Sequence, residues 1–122
     1  MGVVRRFTGK DGAFAWEGVP AQDYGGADAV RACKRVLVGH EDGAQGFEMR
    51  YFEVSPGGRT ALDRHAHDHG VLILRGRARV LLGDRTVEAG YGDVLYIPGD
   101  ETHQLESIGE APLGFVCVKS LP

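Results

Sequence analysis

Three histidines lie close together in the stretch LDRHAHDHGVLILRG, which covers residues 62–76. His65, His67 and His69 are separated by single residues, and side chains two positions apart point to the same face of a β-strand. Neutral imidazole is the commonest metal ligand among protein side chains. The pattern is therefore typical of a metal site, although three polar side chains facing solvent on a loop would have the same spacing.

Strand geometry limits which of these side chains can share one ion. On a straight strand His65 and His69 would stand roughly 13 Å apart, whereas a metal–nitrogen bond is only about 2 Å long. The two can converge only if the chain bends between them, through residues 66–68. Asp63 and His65 would stand roughly 6.6 Å apart and need only a modest tilt. Spacing alone therefore leaves the ligand set open.

The elements around this stretch are short apolar segments separated by glycine, proline and aspartate. The chain contains 19 glycines, roughly twice the average share. Short strands bounded by such turn residues at regular spacing are typical of an all-β sandwich or barrel. The pair Gly83-Asp84 between two of these segments predicts a β-hairpin, and the strand FEMRYFEV is expected to end before SPGG. Residues 27–38 come closest to a helical pattern, and we expect a short helical turn leading into a strand there.

Length and charge exclude several classes of protein. A chain of 122 residues is long enough for one hydrophobic core and too short for two. We expect a single domain over residues 1–122, beginning with an irregular arm over residues 1–30. The net charge of −3 offers no basic surface for nucleic acid. The longest apolar run, VLIL, is far shorter than the roughly 20 residues that span a bilayer, so neither nucleic acid nor a membrane is expected as a partner.

The two cysteines indicate the cellular compartment. Cys33 and Cys117 are far apart and form no CxxC pattern, so we expect no disulfide framework. The N-terminal residues lack the apolar segment of a signal peptide. Both observations favour a protein of the reducing cytoplasm.

Two longer motifs contain the histidines. GGRTALDRHAHDHGVLILRG, residues 57–76, and GDVLYIPGDETHQLES, residues 92–107, resemble the paired motifs of the cupin superfamily, G(X)5HXH(X)3,4E(X)6G and G(X)5PXG(X)2H(X)3N. This resemblance implies a small antiparallel β-barrel, a double-stranded β-helix of the jelly-roll type, with the two motifs on facing hairpins. PLGFVCV, residues 112–118, would be the closing strand.

Four positions depart from the cupin pattern. Asp63 stands where the pattern has its first histidine, and His69 stands where it has glutamate. Asp100 replaces a glycine, and Ser107 replaces an asparagine. The metal site that the resemblance implies is formed by Asp63, His65, His69 and His103. As an alternative, the short side chain of Asp63 reaches the ion only through water, which leaves a site of three histidines.

His67 is the histidine that this assignment leaves over. A different register would pair His65 with His67, but it requires a glutamate three or four residues further on, where Val71 or Leu72 stands. In that register the spacing from Gly57 to the first histidine also no longer matches the pattern. We therefore expect His67 to lie in the bend and to point away from the metal.

The sequence also allows expectations for several other residues. Pro98 is expected to end a strand and, with Gly92, to shape the hairpin that presents His103. His40 is expected on the surface. Cys117 is expected in the core, with a position near the metal as the alternative. The candidates for the apolar lining of the barrel are Phe47, Tyr51, Tyr96, Leu105 and Phe115.

Histidine and carboxylate ligands suit iron, manganese, nickel, copper or zinc, and ligand type alone does not choose among them. Small members of the resembling superfamily include dioxygenases and isomerases. We expect a metal-dependent oxidoreductase of the dioxygenase type, acting on a small carbonyl, enol or phenolic compound. A non-catalytic module that binds a metal or a small molecule, and an isomerase, are the alternatives. We also expect a homodimer, formed through edge strands, with the first thirty residues contributing to it.

Overall fold

The computed structural model describes residues 2–10, 12–26 and 28–121. Within these ranges the chain forms nine β-strands and one turn of 3-10 helix, His40–Asp42. The strands are β1 Gln22–Asp23, β2 Val30–Val38, β3 Phe47–Arg59, β4 His69–Arg75, β5 Arg77–Leu82, β6 Arg85–Gly90, β7 Val94–Ile97, β8 His103–Ser107 and β9 Leu113–Ser120. The predicted all-β class is confirmed. Within the described residues, no helix has the length and apolarity needed to cross a membrane.

All strand pairs are antiparallel, and the main path through the sheet is β6-β5-β8-β3-β9-β4-β7. The sheet curls into a half-barrel of the cupin type, so that side chains from β3, β4, β5, β8 and β9 meet in one core. The hairpin predicted at Gly83-Asp84 joins β5 to β6. Gly83 has a φ of 64°, a value that suits glycine because it has no Cβ.

Two strands differ from the sequence expectations. The segment Val30–Val38 is a strand for its whole length because it pairs with β3, and the described residues contain no helical turn there. Ala27 lies outside the described residues. β3 does not end before SPGG but continues to Arg59, which pairs with both Val30 and Glu106. A register shift between Val30 and Ala32, together with a φ of 79° at Gly57, accommodates the longer strand.

The two faces of β3 pack against different parts of the chain. Phe52 and Val54 face the interior of the half-barrel. Tyr51 faces the other way and is covered by Phe14 and Trp16 from the N-terminal arm. Part of the arm therefore packs against the sheet of its own chain. The single-domain boundaries and the homodimer remain predictions, and light scattering at micromolar concentration would test the latter.

Candidate metal centre

The ends of three strands bring the predicted ligands together. His69 is the first residue of β4, and His103 is the first residue of β8. Asp63 and His65 belong to the segment between β3 and β4. The backbones of Asp63 and His103 exchange two hydrogen bonds, with N–O distances of 3.0 and 2.9 Å. The start of the second motif's strand is thereby fixed beside the first motif.

A short loop, residues 98–101, holds the bend between His65 and His69. β7 ends directly before Pro98, as predicted. The backbone N–H of Asp100 donates to the carbonyl oxygen of His65 at 2.5 Å, and a Cβ on residue 99 would collide with the carbonyl oxygen of Ala66. Asp100 has a φ of 66°, a left-handed conformation that favours glycine and that aspartate tolerates better than most residues. This explains why aspartate can stand at the pattern's glycine position.

Three histidines converge at this point. Among the described residues, His65, His69 and His103 each offer a ligand atom, and these atoms all lie within 4.8 Å of one another. The ring centroids of His69 and His103 are 5.1 Å apart, and that of His65 is 5.8 Å from each of them. His69 and His103 are buried, whereas His65 is partly exposed. The group could hold one metal ion.

The hydrogen bonds of the buried rings indicate which nitrogens are available. His103 Nδ1 lies 2.9 Å from the carbonyl oxygen of Glu101; because a carbonyl can only accept, Nδ1 carries the proton and leaves the Nε2 lone pair free. His69 Nδ1 lies 3.3 Å from the Cys117 sulfur, and His69 Nε2 is buried with no hydrogen-bond partner. An unpaired buried nitrogen requires an explanation, and a metal ion fits both this atom and the set of donors.

Charge and burial keep the deepest of these rings neutral. Burial, followed by the nearby His103 and Arg50, lowers the pKa of His69 to about 3. Burial, followed by the neighbouring His65, also lowers the pKa of His67. Only neutral imidazole binds a metal, so His69 is ready to act as a ligand at neutral pH.

Asp63 lies beside the three histidines and not within the converging group. Its Oδ2 accepts a hydrogen bond of 2.8 Å from the hydroxyl of Tyr24 and lies 3.5 Å from His65 Nε2. Burial and the hydrogen bond to Asp63 both raise the pKa of Tyr24. Of the four ligands in the predicted set, the structure thus brings three together and leaves the fourth in contact with one of them.

His67 packs against the other rings but does not line the cavity. Its ring stacks on that of His65, with centroids 4.7 Å apart and planes inclined by 11°. It also lies 4.8 Å from the His69 ring, edge to face. The bend is tight enough that the alternating rings pack against one another, yet His67 is not among the three residues whose ligand atoms converge.

The three histidines open into a cavity of about 50 Å³ inside the half-barrel. Of the predicted lining residues, Leu105 and Phe115 line it. Tyr51 lies on the outer face of β3, and Phe47 and Tyr96 are exposed. The other apolar walls are Phe52, Ala61, Val71 and Ile97.

Three polar residues of this cavity bear on its chemistry beyond the histidines and Asp63. Tyr24 stands near no motif, and no signal in the sequence could have found it. Arg50 alternates with Phe52 and Val54 on β3, but the periodicity of this strand fits either face and its charge favours the solvent side. Cys117, for which a position near the metal was the alternative, is buried and contacts both His69 and Arg50; burial raises the pKa of its thiol. His40 is exposed, as expected.

Comparison with known proteins gives a consistent family. The Cupin_2 family, described as a cupin domain, matches residues 50–119. The 1-methylthio-D-xylulose 5-phosphate methylsulfurylase of Rhodospirillum rubrum is 36% identical over 116 residues, which cover 93% of this chain and 74% of that protein. A cupin 2 conserved barrel domain protein from Rhodopseudomonas palustris has a TM-score of 0.82 at 32% identity, with 98% of this chain and 81% of that chain covered.

A third similar protein is the polyketide cyclase RemF from Streptomyces resistomycificus. Its structure has a TM-score of 0.78 at 31% identity, with 84% of this chain and 74% of that chain covered. The family match spans more than half of the chain and includes the three converging histidines. The chain therefore belongs to the cupin superfamily, within the Cupin_2 domain family.

Proposed function

We propose that this cupin is a metal-dependent enzyme that binds a small carbonyl, enol or phenolic compound at the three-histidine site. The observation that carries the proposal is the buried, unpartnered Nε2 of His69, a residue that converges with His65 and His103. Leaving such a group unsatisfied costs about 1–3 kcal/mol. A bound divalent transition metal removes that cost, and iron, manganese, nickel, copper and zinc are all compatible with the donors.

A metal held there would polarise the oxygen of a carbonyl or enol as a Lewis acid. The residues of the chain supply the rest of the site. Phe52, Phe115 and Ile97 accept the carbon skeleton and exclude water. Asp63 is near enough to His65 to support that ring, and a bridging water would let its carboxylate contribute to the metal site.

Dioxygenase-type oxidation is the first candidate reaction. Three neutral nitrogen ligands leave positions open for a substrate and a second small molecule, and such sites are compatible with redox-active iron or manganese. The apolar walls suit an aromatic or enolic substrate, because they hold it without competing for its oxygen atoms. In this reaction Tyr24 would orient the substrate through its hydroxyl group.

Proton transfer at a carbon next to a carbonyl is the second candidate, and the Tyr24–Asp63 pair favours it. The Tyr24 hydroxyl lies in the cavity wall and donates to Asp63 at 2.8 Å. The Asp63 carboxylate would accept the proton from carbon, and the Tyr24 hydroxyl would turn from Asp63 to donate to the enolate oxygen. The names of two relatives, a methylsulfurylase of a xylulose phosphate and a polyketide cyclase, also refer to carbonyl compounds. An isomerase or a cyclase would use this step.

The test begins with metal analysis of protein purified without a histidine tag. The loaded protein is then given diketones and phenols, and oxygen uptake and deuterium exchange from heavy water are measured. Oxygen uptake would support oxidation, and exchange faster than the uncatalysed rate would support proton transfer. Absence of both, with metal retained, would identify a non-catalytic binding module. Absence of metal in every preparation, even after incubation with zinc, would overturn the proposal.

A matched pair of variants isolates the role of Tyr24. Tyr24→Phe removes the hydroxyl that donates to Asp63 and should abolish the exchange while metal content is kept. Tyr96→Phe removes a similar hydroxyl, which donates to Asp68 at 3.0 Å on the exposed surface, and should have no effect. Equal loss of exchange in both variants would contradict the role of Tyr24.

A further inference from the structure

Arg50 is a buried cation in the wall of the cavity. It lies on β3, on the same face as Phe52, and is only 7% exposed. Its Nη2 donates to the Cys117 sulfur at 3.2 Å, and sulfur is a weak acceptor. Its Nε is buried with no hydrogen-bond partner. A buried charge is normally paired and fully hydrogen-bonded, and this guanidinium group is incompletely hydrogen-bonded.

The charge of Arg50 is only partly balanced by its neighbours. Glu48 Oε1 lies 3.5 Å from Arg50 Nε, but the same oxygen lies 3.9 Å from Lys119 Nζ. One carboxylate is thus shared by two cations. The Phe52 ring, 4.9 Å from the guanidinium carbon, adds a cation–π contact but accepts no conventional hydrogen bond. Glu48 therefore balances the charge of Arg50 only in part, and the other carboxylate of the cavity, Asp63, is hydrogen-bonded to Tyr24.

Arg50 is also close to the three histidines. The Cys117 sulfur contacts Arg50 Nη2 at 3.2 Å and His69 Nδ1 at 3.3 Å. A single sulfur atom thus separates the guanidinium group from a residue of the metal site. Arg50 and the three histidines line the same cavity of about 50 Å³, so that one compact ligand there lies near both.

We propose that Arg50 binds the carboxylate of the ligand, and that the ligand class is small oxo acids and their enols, whose carbonyl oxygen faces the histidines. This inference rests on the proposed function and narrows it. A guanidinium group is planar and forms two parallel hydrogen bonds with a carboxylate. The cavity's size favours this compact anion over a larger one.

The experiment follows the Nε–H resonance of Arg50 by 15N NMR, in metal-free and in zinc-loaded protein. The probes are 2-oxobutyrate, the neutral 2,3-pentanedione and inorganic phosphate. The resonance should shift with 2-oxobutyrate and stay in place with the dione. No shift with 2-oxobutyrate in either form would overturn the inference, and a larger shift with phosphate would overturn the carboxylate class.

The variants separate this inference from the proposed function. In Arg50→Met the affinity for 2-oxobutyrate should fall about 10-fold or more, as expected for charge-assisted hydrogen bonds, while zinc content and dione affinity are kept. Unchanged 2-oxobutyrate affinity with zinc retained would remove the role of Arg50 alone. Failure of the wild-type chain to bind zinc would remove the metal site alone, because the metal-free Arg50 shift is measured separately.

Arg75 is the matched control. It stacks over Phe14 at 5.0 Å and pairs with Glu53 at 3.4 Å, so it has the same kinds of partner as Arg50 but lies outside the cavity. Arg75→Met should leave the affinity for 2-oxobutyrate unchanged. An equal loss in both variants would mean that Arg50 acts only through the stability of the sheet, and the inference would fall.

Discussion

The inner and outer faces of β3 both carry aromatic side chains, but they differ in whether the polar atoms nearby have hydrogen-bond partners. On the outer face, Tyr51 stacks on Phe14 and donates to Glu53 at 3.0 Å, while Arg75 also pairs with Glu53. On the inner face, Phe52 stacks on Phe115 at 5.2 Å. The buried side-chain atoms without hydrogen-bond partners in the described residues are Arg50 Nε, His69 Nε2 and Ser107 Oγ.

All three of these atoms belong to residues on the inner faces of their strands. Both faces carry aromatic side chains, and Arg75 of β4 lies on the outer side as Arg50 lies on the inner side. Incomplete hydrogen bonding is therefore what distinguishes the inner face. The outer face stabilises the fold with satisfied groups. The inner face keeps polar groups unsatisfied, which is a cost to stability that a binding site can justify.

The largest expected effect is on stability. Phe115→Ala should lower the free energy of unfolding by about 3–5 kcal/mol, because it removes a fully buried ring, and should also weaken metal binding. Trp16→Ala, on the half-buried outer face, should cost less and leave zinc affinity unchanged. Urea unfolding and zinc titration of both variants measure this. Loss of zinc affinity in Trp16→Ala would contradict the distinction between the inner and outer faces of β3.

The second largest expected effect is on the affinity for zinc. Alanine at position 65, 69 or 103 should weaken zinc binding by about 10-fold or more, judging from the losses seen when only a supporting partner is removed. His67→Ala should bind zinc nearly as well as the wild-type chain. Competition with a chromophoric chelator gives the affinities. If His67→Ala lost the metal while His69→Ala kept it, the site would have to be rebuilt around His65 and His67.

A third, intermediate effect is expected at Asp63. Asp63→Ala should weaken zinc binding by less than alanine at His69 does, because the carboxylate lies beside His65 and not within the converging group. Asp63→Asn keeps the shape and an acceptor for Tyr24 and serves as the control. A loss as large as that of His69→Ala would mean that Asp63 binds the metal directly.

The smallest expected effects are on the free energy of unfolding, and they should differ between the inner and the outer face of the sheet. Ser107→Ala removes a buried hydroxyl that has no partner and should stabilise the chain slightly or leave it unchanged. Tyr51→Phe removes a hydroxyl that Glu53 accepts and should cost about 1 kcal/mol. Thermal unfolding of the two variants is sufficient. Destabilisation of both by the same amount would show that Ser107 has a partner in solution.

Much of the site could be predicted because the two motifs fix spacing along the chain. His65, His69 and His103 converge as the cupin resemblance implied, and Pro98 ends β7. The ligand role of Asp63 was left open because it depends on a few ångströms of side-chain reach. Tyr24 could not be found because it arrives through the pairing of β1 with β2, a contact with no local signal.

The prediction of the cavity-lining residues was only partly correct, because β3 has apolar side chains on both faces. In FEMRYFEV, strand periodicity is equally consistent with either parity, since Phe47 and Tyr51 alternate with Arg50 and Phe52. The structure buries the second set towards the cavity. A charged residue in a strand would ordinarily be assigned to the solvent side, and Arg50 lies inside.

The bend that carries His65 is held mainly by backbone contacts, to which Arg64 and Asp68 add side-chain hydrogen bonds. The Asp100 N–H, the close approach of Gly99 to Ala66 and the paired backbones of Asp63 and His103 do not depend on which side chains project from the bend. Donor atoms can therefore be exchanged during evolution or in the laboratory while the path of the chain stays the same. A histidine and a carboxylate at interchanged positions are what such a permissive scaffold would be expected to produce. Combinatorial replacement of positions 63 and 69 should accordingly yield folded proteins with different preferences for hard and soft ions.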